Sequence, residues 1–376
     1  MDVVRNFPWV DLLKATGVVV ALVGVAPVMT WFERKLSAWS QDRLGPNRAL
    51  WPFVHDIPLV GRLLGPVVDA VGRTGILFPV ADAVKMITKE DFIPAKGDRL
   101  LHTLAPWIAL TPALATFAVI PFGPDIMVAG RLHHLQVANI NVGILAIFAI
   151  ASIGVYGAAL AGWSSDNKFS LLGALRAAAQ MVSYEIALGL SVIGVIMVYG
   201  SLQLDQLVLR QQELLWGVVP KWGIVTQPVA FLLFFVAAYA ETKRAPFDTP
   251  EGDSEIVAGY FTEYSGLKFG IFYTAEFVEM IVLGGLVSTL FLGGYLIPWV
   301  PASAAVAGFL GLPGWFWAVA MVVAFQVKVW LFVFLQFQIR WTLPRFRYDH
   351  VMALGWKILL PVGLVNVFVT GIAILL

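Results

Sequence analysis

Residues 240–264 read AETKRAPFDTPEGDSEIVAGYFTEY, between the apolar runs VTQPVAFLLFFVAAY (225–239) and IFYTAEFVEMIVLGGLVSTLFLGGYLI (271–297). The segment sets six acids, Glu241, Asp248, Glu251, Asp253, Glu255 and Glu263, against Lys243 and Arg244. Only 13% of the chain is charged, so this density of carboxylates is not ordinary solvated surface. The flanking runs approach the roughly 20 residues a helix needs to cross a hydrocarbon core. That combination implies a helical membrane protein with a charged segment held against the bilayer.

Composition agrees along the whole chain. Its 376 residues are 59% hydrophobic with a net charge of +1, and the mean hydropathy is +0.81, whereas soluble domains are about 45 to 50% apolar. Period-2 alternation is absent, which favours helices over a barrel, so the fold class is an all-α integral membrane protein. There is no cysteine, which excludes disulfides, thiolate-held iron–sulfur clusters and C-x-x-C metal motifs in this chain. Electrons for any redox reaction must therefore come from elsewhere. The opening MDVVRNFPWVDLLKA mixes Asp2 and Asp11 with Arg5 and Lys14 and lacks a small-residue cleavage pattern, so no removable signal peptide is expected.

Apolar runs predict about eight spans, near residues 15–32, 101–120, 141–161, 183–200, 225–239, 271–297, 315–337 and 358–376. They form a single membrane domain over 1–376. Trp107, Trp163, Trp222, Trp299, Trp315, Trp341 and Trp356 fall near span ends, as interfacial anchors do. Lys and Arg concentrate in the loop at 33–100 and in the other loops on its side, including Lys168, Arg176, Lys243, Arg244, Lys268, Arg340, Arg345, Arg347 and Lys357. The opposite side holds only Arg5, Lys14, Arg131, Arg210 and Lys221. The bias predicts both termini on the periplasmic side and the acidic loop, 240–270, in the cytoplasm. Within the first loop a Pro- and Gly-rich stretch covers 49–72. After it, at about 75–91, Leu77, Val80, Val84 and Ile87 share a helical face opposite Asp82, Lys85 and Lys89, the pattern of an amphipathic helix in the interface. No inverted repeat relates the halves, which weighs against transporter folds built from such repeats.

Carboxylates also stand in or beside the spans: Glu185 in the fourth, Glu241 at the end of the fifth, and Glu276 and Glu279 one turn apart in the sixth. One such glutamate alone can simply mark the interface. The set, beside the five other acids of 240–264, marks function, because an ionisable side chain at a helix centre costs about 2.5 to 3.5 kcal/mol on insertion scales. Burial and like charge both raise carboxylate pKa values, which suits the set to carry protons. Basic partners on the same side are Arg34, Arg43, Lys85, Arg176, Arg244, Arg345 and Arg347, whereas Arg62, Arg73 and Arg99 suit lipid phosphates. RWTLPRFRYDH (340–350) is denser in charge and aromatics than a tether requires. Lys328, deep in the seventh span beside Gln326, must face protein or a wet cavity. His55, His102, His133, His134 and His350 have no ligand spacing.

Five blocks together carry a family resemblance: ERKLSAWSQDRLGPNR (33–48), PVADAVK (79–85), GWSSDNKFSLLGALRAAAQMVSYEI (162–186), the acidic segment, and PRFRYDHVMALGWK (344–357). In this order they resemble the quinone-site membrane subunit of proton-pumping NADH:quinone oxidoreductase, respiratory complex I, known as the H subunit in bacteria and subunit 1 in mitochondria. The resemblance implies a place at the heel of the membrane arm of the bacterial inner membrane. There the subunit would form, with soluble partners, a tunnel by which the substrate quinone reaches the terminal iron–sulfur cluster. It implies that Arg34, Asp82, Lys85, Arg244, Phe247 and Asp248 lie near the tunnel or its mouth. It further implies that Glu33, Glu185, Glu241, Glu251, Glu255, Glu263 and Glu276, with Arg176 beside them, begin a proton path into the membrane arm. FMN, iron–sulfur clusters and the quinone headgroup ligands are expected only in partner subunits. The other implied partners are the remaining subunits of the complex and membrane lipids, with no nucleic acid.

The chain departs from the family pattern in three places. EGDSE stands where relatives carry EGESE, so Asp253 is one methylene short. Phe78 stands where a Gln is usual before the Pro of the interfacial helix. Between Arg48 and Gly75 there are roughly 20 additional residues, longer than a structureless loop in a compact fold usually runs. Two alternative functions remain open from the residues alone: the membrane anchor of a related energy-converting hydrogenase or other-donor dehydrogenase, and a stand-alone proton-coupled transporter.

Overall fold

The computed structural model describes residues 8–47, 58–128 and 131–376, excepting the side chains of 8–10, 58–64, 128, 131 and 253. Of the residues singled out above, Asp2, Arg5, Arg48 and His55 and the side chains of Arg62, Arg131 and Asp253 lie outside that description. The helices in order are α1 (Pro8–Ser40), α2 (Pro58–Thr74), α3 (Phe78–Thr88), α4 (Arg99–Phe117), α5 (Gly143–Ala151), α6 (Gly154–Ser164), α7 (Lys168–Tyr199) and α8 (Leu204–Arg210). They continue as α9 (Gly223–Thr226), α10 (Pro228–Glu241), α11 (Asp253–Ile256), α12 (Gly266–Phe291), α13 (Ala304–Ala307), α14 (Gly314–Thr342), α15 (Tyr348–Ala353) and α16 (Leu360–Leu375). A π-helical turn, Leu354–Leu359, fuses the last two. Short hairpins, β1 (Ile126–Val128) with β2 (Arg131–His133) and β3 (Leu214–Leu215) with β4 (Val219–Pro220), close two loops.

Among the described residues, seven helical stretches are long and apolar enough to cross a membrane. They correspond to seven of the eight expected spans and make this a multi-pass membrane protein. The fifth expected span is α10, only 14 residues long; the short α9 precedes it and Gln227 breaks the register between them. The helices overrun the apolar runs because hydropathy registers the hydrocarbon and not the helix. Asn167 caps α7 by accepting from the Phe169 N–H at 2.9 Å, sixteen residues before the expected span, and Gly200 ends it in the left-handed conformation at φ +62°. Conversely, α12 stops at Phe291 where the apolar run continues, because Gly293 and Gly294 both take positive φ.

Of the Pro- and Gly-rich stretch, 49–57 lie outside the described residues and the rest falls in α2. The expected interfacial helix is α3, with Val80, Val84 and Ile87 exposed on one face. In the bundle α12 is central, with 67% of its apolar window buried, while α1 is peripheral at 17%. Small residues allow close approach where α4, α6 and α7 meet: Ala105, Ala158, Ala161 and Ala174 are all buried.

Lys328 on α14 has a structural role. Its ammonium donates to the carbonyls of Leu292, Gly294 and Leu296, each at 2.7 Å, and lies 4.7 Å from the centre of the Trp222 ring. Three donors meet three acceptors, which closes the unwound end of α12. Lys328→Met should cost about 1–3 kcal/mol of stability for each carbonyl left unpaired and so lower the melting temperature of the detergent-solubilised protein. A melting curve matching wild type would show that the carbonyls find other donors.

Candidate functional site

The acidic segment is held on the bundle by a buried glutamine. Gln180 of α7 donates to the carbonyls of Ala240 and Phe247, both at 2.8 Å, and accepts from the Thr249 hydroxyl at 2.8 Å. Below it, α7 meets the segment without side chains between them: a Cβ on Gly173 would lie 2.6 Å from Gly259 Cα. The Tyr239 hydroxyl donates to the carbonyls of Ala245 and Gln336. Two loops are thereby tied to three helices, and the charged residues between those ties are fixed.

Arg244 is the centre of what they fix. It is 4% exposed, donates to Glu33 of α1 at 2.9 Å and lies 4.0 Å from Glu276 of α12. The Phe277 and Phe337 rings flank its guanidinium at 4.3 and 5.9 Å. Glu33 takes a second donor, Arg340 of α14. One turn along α12, Glu279 lies 3.9 Å from Lys243. Glu241, Lys243, Glu276 and Glu279 line a cavity of about 60 Å³ that continues toward Ala109, Thr116 and Ile147, room for a few waters. Nε and Nη2 of Arg244 and Oε1 of Glu276 have no hydrogen-bond partner within the protein, as groups served by water would.

Outside the spans, charge states follow from these contacts. Burial opposes the Lys243 ammonium, but Glu279, Glu276, Glu251 and Glu241 outweigh it and hold its pKa above the ordinary lysine value. Burial, and after it the neighbouring Glu276, push the Glu251 carboxyl well above the usual carboxylate range. The Tyr260 hydroxyl reaches Glu251 at 3.4 Å.

A second cavity, of about 450 Å³, opens between α1, α3 and the 257–269 stretch. Arg34, Asp82 and Lys85 line it with Phe261, Tyr264 and Phe269. Arg34 pairs with Asp82 at 2.9 Å and stacks over the Phe78 ring at 4.4 Å, so Phe78 makes a cation–π contact. On the rim Val257 has φ +65°, a strained conformation for a β-branched residue. The volume falls within the range of small-molecule sites, about 300–1,000 Å³.

The candidate residues therefore separate into groups. Glu33, Glu241, Glu251, Glu276 and Arg244 come together in the buried network. Glu185, half-buried on α7, lies within electrostatic reach of Glu241 but has no ion-pair partner among the described residues. Glu255 turns outward to Arg176, and Glu263 accepts from Asn167 at 2.7 Å; neither joins the network. Arg34, Asp82 and Lys85 share the larger cavity, but Phe247 and Asp248 do not line it. Phe247 packs among Tyr184, Tyr239 and Phe346, and Asp248 is gripped by Arg345 at 2.7 and 2.6 Å. The structure adds Lys243, Arg340 and Gln180 to the site and pairs Glu279, already part of the carboxylate set, with Lys243. The turn spacing of Glu276 and Glu279 signals Glu279, whereas nothing in the sequence marks Gln180.

A buried ion network beside a substrate-sized cavity, in a multi-pass helical bundle, marks a membrane protein whose buried charge serves more than packing. Residues 13–371 match the family described as NADH dehydrogenase, and the chain belongs to the family of H subunits of NADH-quinone oxidoreductase. It is similar to the first H subunit of this oxidoreductase from Geobacter metallireducens, 43% identical over 96% of this chain and 95% of the relative. It is likewise similar to the second H subunit of the oxidoreductase from Geobacter sulfurreducens, 45% identical over 92% and 91%. NADH-quinone oxidoreductase subunit 8 of Rhodothermus marinus is 42% identical over 98% of both chains. These relatives favour neither the hydrogenase anchor nor the transporter. The chain is a membrane subunit of the enzyme complex, and its partners include other subunits of that complex.

Two outcomes follow from the network. Arg244→Met leaves Glu33 and Glu276 buried without their shared cation and should cost about 3–5 kcal/mol. Adding Glu33→Gln should recover part of the loss, as melting of the solubilised complex would show; strictly additive losses would dissolve the pairing. The raised Glu251 value also has a sign. Its contribution to stability is complete below the ordinary glutamate pKa and is lost as pH rises through the raised one. Glu251→Gln, uncharged throughout, should flatten the fall in melting temperature toward alkaline pH, and superimposable pH profiles would exclude Glu251 as the group.

Proposed function

We propose that the 450 Å³ cavity belongs to the passage by which quinone enters the complex, and that the buried network begins the path by which its reduction moves protons. The supporting observation is the pair Glu33 and Arg34. Neighbours on α1, they face different places, Arg34 the cavity with Asp82 and Glu33 the network with Arg244 and Arg340. Arg34, Asp82 and Lys85 act as polar groups on the quinone route. Arg244 joins the route to the network, while Phe247 and Asp248 hold the neighbouring wall through Tyr239 and Arg345. Glu185, Glu241, Glu251, Glu276 and Glu279 exchange protons along the inner cavity. Arg176, Glu255 and Glu263 brace the loop from its outer side.

Electrons reach the quinone from partner subunits, since a chain without cysteine cannot hold an iron–sulfur cluster through thiolates. Flavin and iron–sulfur groups are therefore assigned to the peripheral partners, together with the headgroup ligands. The Lys and Arg bias of the loops supports an inner-membrane orientation with the acidic segment in the cytoplasm and both termini in the periplasm.

Magnitudes favour a network over a single carrier. A unit charge about 10 Å away at an effective dielectric near 20 is worth about 1.7 kcal/mol, little more than one pKa unit. Moving a proton against roughly 150 mV costs about 3.5 kcal/mol. Several coupled carboxylates must share the work. Glu241→Gln or Glu185→Gln in the assembled complex should sharply depress quinone reduction or proton pumping, while NADH oxidation by a soluble acceptor at the peripheral arm continues. Wild-type quinone-linked rates and pumping in both variants would remove them from the path.

A further inference from the structure

A third cavity, of about 390 Å³, lies in the membrane between α1 and α14, toward the face opposite the acidic segment. Its α1 wall is the stripe Lys14, Gly17, Ala21 and Val25, and its α14 wall includes Gln326 and Val333. The two helices run side by side in the same direction, because Glu33 meets Arg340 and Phe32 meets the Phe337 ring. Carrying that register back sets Gln326 about 7 Å deeper than Lys14 at 1.5 Å per residue. Gln326 is exposed and, among the described residues, has no hydrogen-bond partner. The charged and amide groups thus cluster at one end of the groove, and apart from the Trp330 indole only apolar groups line the rest.

We infer that this groove binds one acyl chain of a phosphatidylethanolamine from the leaflet opposite the acidic segment, with the lipid's glycerol esters at Gln326 and its headgroup on the Lys14–Asp11 pair. Length supports this occupant. From the level of Gln326, opposite Val19 on α1, to Val25 is about 9 Å, so the groove takes the upper part of one leaflet's acyl chain, whose whole depth is about half of the roughly 30 Å hydrocarbon core. The apolar run of α1 begins at Ala15, which puts Lys14 at the headgroup level. Charge selects the headgroup: Lys14 and Asp11 pair at 3.0 Å with side chains 15% and 43% exposed, offering a cation to the phosphate and an anion to the ammonium. A purely anionic headgroup would meet Asp11 uncompensated. A quinone bound here would have its tail on the wrong side of the bilayer from Arg34 and Asp82.

The test uses the intact complex in phosphatidylcholine nanodiscs doped with phosphatidylethanolamine carrying a diazirine about midway along one acyl chain. After irradiation, adducts are mapped by peptide mass spectrometry. Wild-type protein should be labelled near Val25 and Val333. An added Cβ at Gly17 meets nothing within 4 Å, so Gly17→Leu fills the groove without displacing the fold. It should reduce labelling to background with the melting temperature and quinone reductase rate unchanged. Lys14→Gln should reduce labelling about five-fold, the weight of one lysine at a charged surface, and remove the preference over the same probe with a choline headgroup. The inference is overturned if labelling ignores both Gly17→Leu and the headgroup. It is also overturned if a diazirine-tailed quinone labels these positions and excess phosphatidylethanolamine does not compete, or if a partner subunit's helix cross-links there instead.

Discussion

A guanidinium removed from water within an apolar bundle needs its countercharges delivered by the fold, and in this chain Arg244 sets that requirement. Glu33 comes from α1, Glu276 from α12, and Arg340 of α14 shares Glu33. Four segments distant in sequence are brought to one point because leaving any of these charges alone would be strongly destabilising. The Phe277 and Phe337 rings around Arg244 keep the local dielectric low, which strengthens the pairs and makes each more expensive to break. Such an arrangement is a poor device for stability alone, since well-packed apolar residues achieve as much. Its retention is better explained by charge that has to respond to an event nearby.

The neutral parts of the fold serve that point. Gln180 uses both of its polar atoms on the backbone and side chain of the acidic segment, and Gly173 lets α7 press directly on Gly259. Lys328 performs the corresponding task at the far end of α12. The helix bearing Glu276 and Glu279 is therefore closed at one end by a lysine and tied into the ion network near the other. Its buried packing along the length leaves little freedom for those carboxylates to drift. What can change at this site is protonation and water occupancy.

Much of this is readable from the chain, and its limits are physical. Hydropathy locates the bundle because hydrocarbon length is a one-dimensional constraint, but it misjudges helix ends. Asn167 and Gly200 set the α7 ends by capping, and Gly293 and Gly294 end α12, none of which contributes to an apolar average. The glutamates stand out because charge in a membrane is conspicuous. Their partition does not: Glu255 and Glu263 look like Glu251 in sequence, and only the turn of the backbone through 252–262 sends the first two to Arg176 and Asn167. Arg340 and Arg345 are visible as a dense charged stretch whose purpose depends on partners about 300 and 100 residues away, Glu33 and Asp248. Gln180 is invisible, because a polar residue in an Ala-rich helix gives no hint of the three segments it joins.

The adjacency of Glu33 and Arg34 has a consequence for how the two cavities communicate. On the proposed reading, a quinone beside Arg34 and Asp82 is separated from the inner carboxylates by the packed rings of Tyr260, Phe261, Tyr264 and Phe272, so a direct proton jump from one cavity to the other would have to cross apolar ground. Charge need not cross it. If negative charge appearing near Arg34 weakens its pair with Asp82, the field at Glu33 one residue away changes as well. Glu33 holds both Arg244 and Arg340, so any shift in its preference is passed to Glu276 through a guanidinium whose Nε and Nη2 still lack protein partners. Nη2 lies 4.0 Å from Oε2 of Glu276, close enough for the guanidinium to favour either acid without leaving its ring cage. On the proposed reading, coupling in this subunit is a redistribution of hydrogen bonds about one fixed cation, with proton movement confined to the inner cavity beyond it.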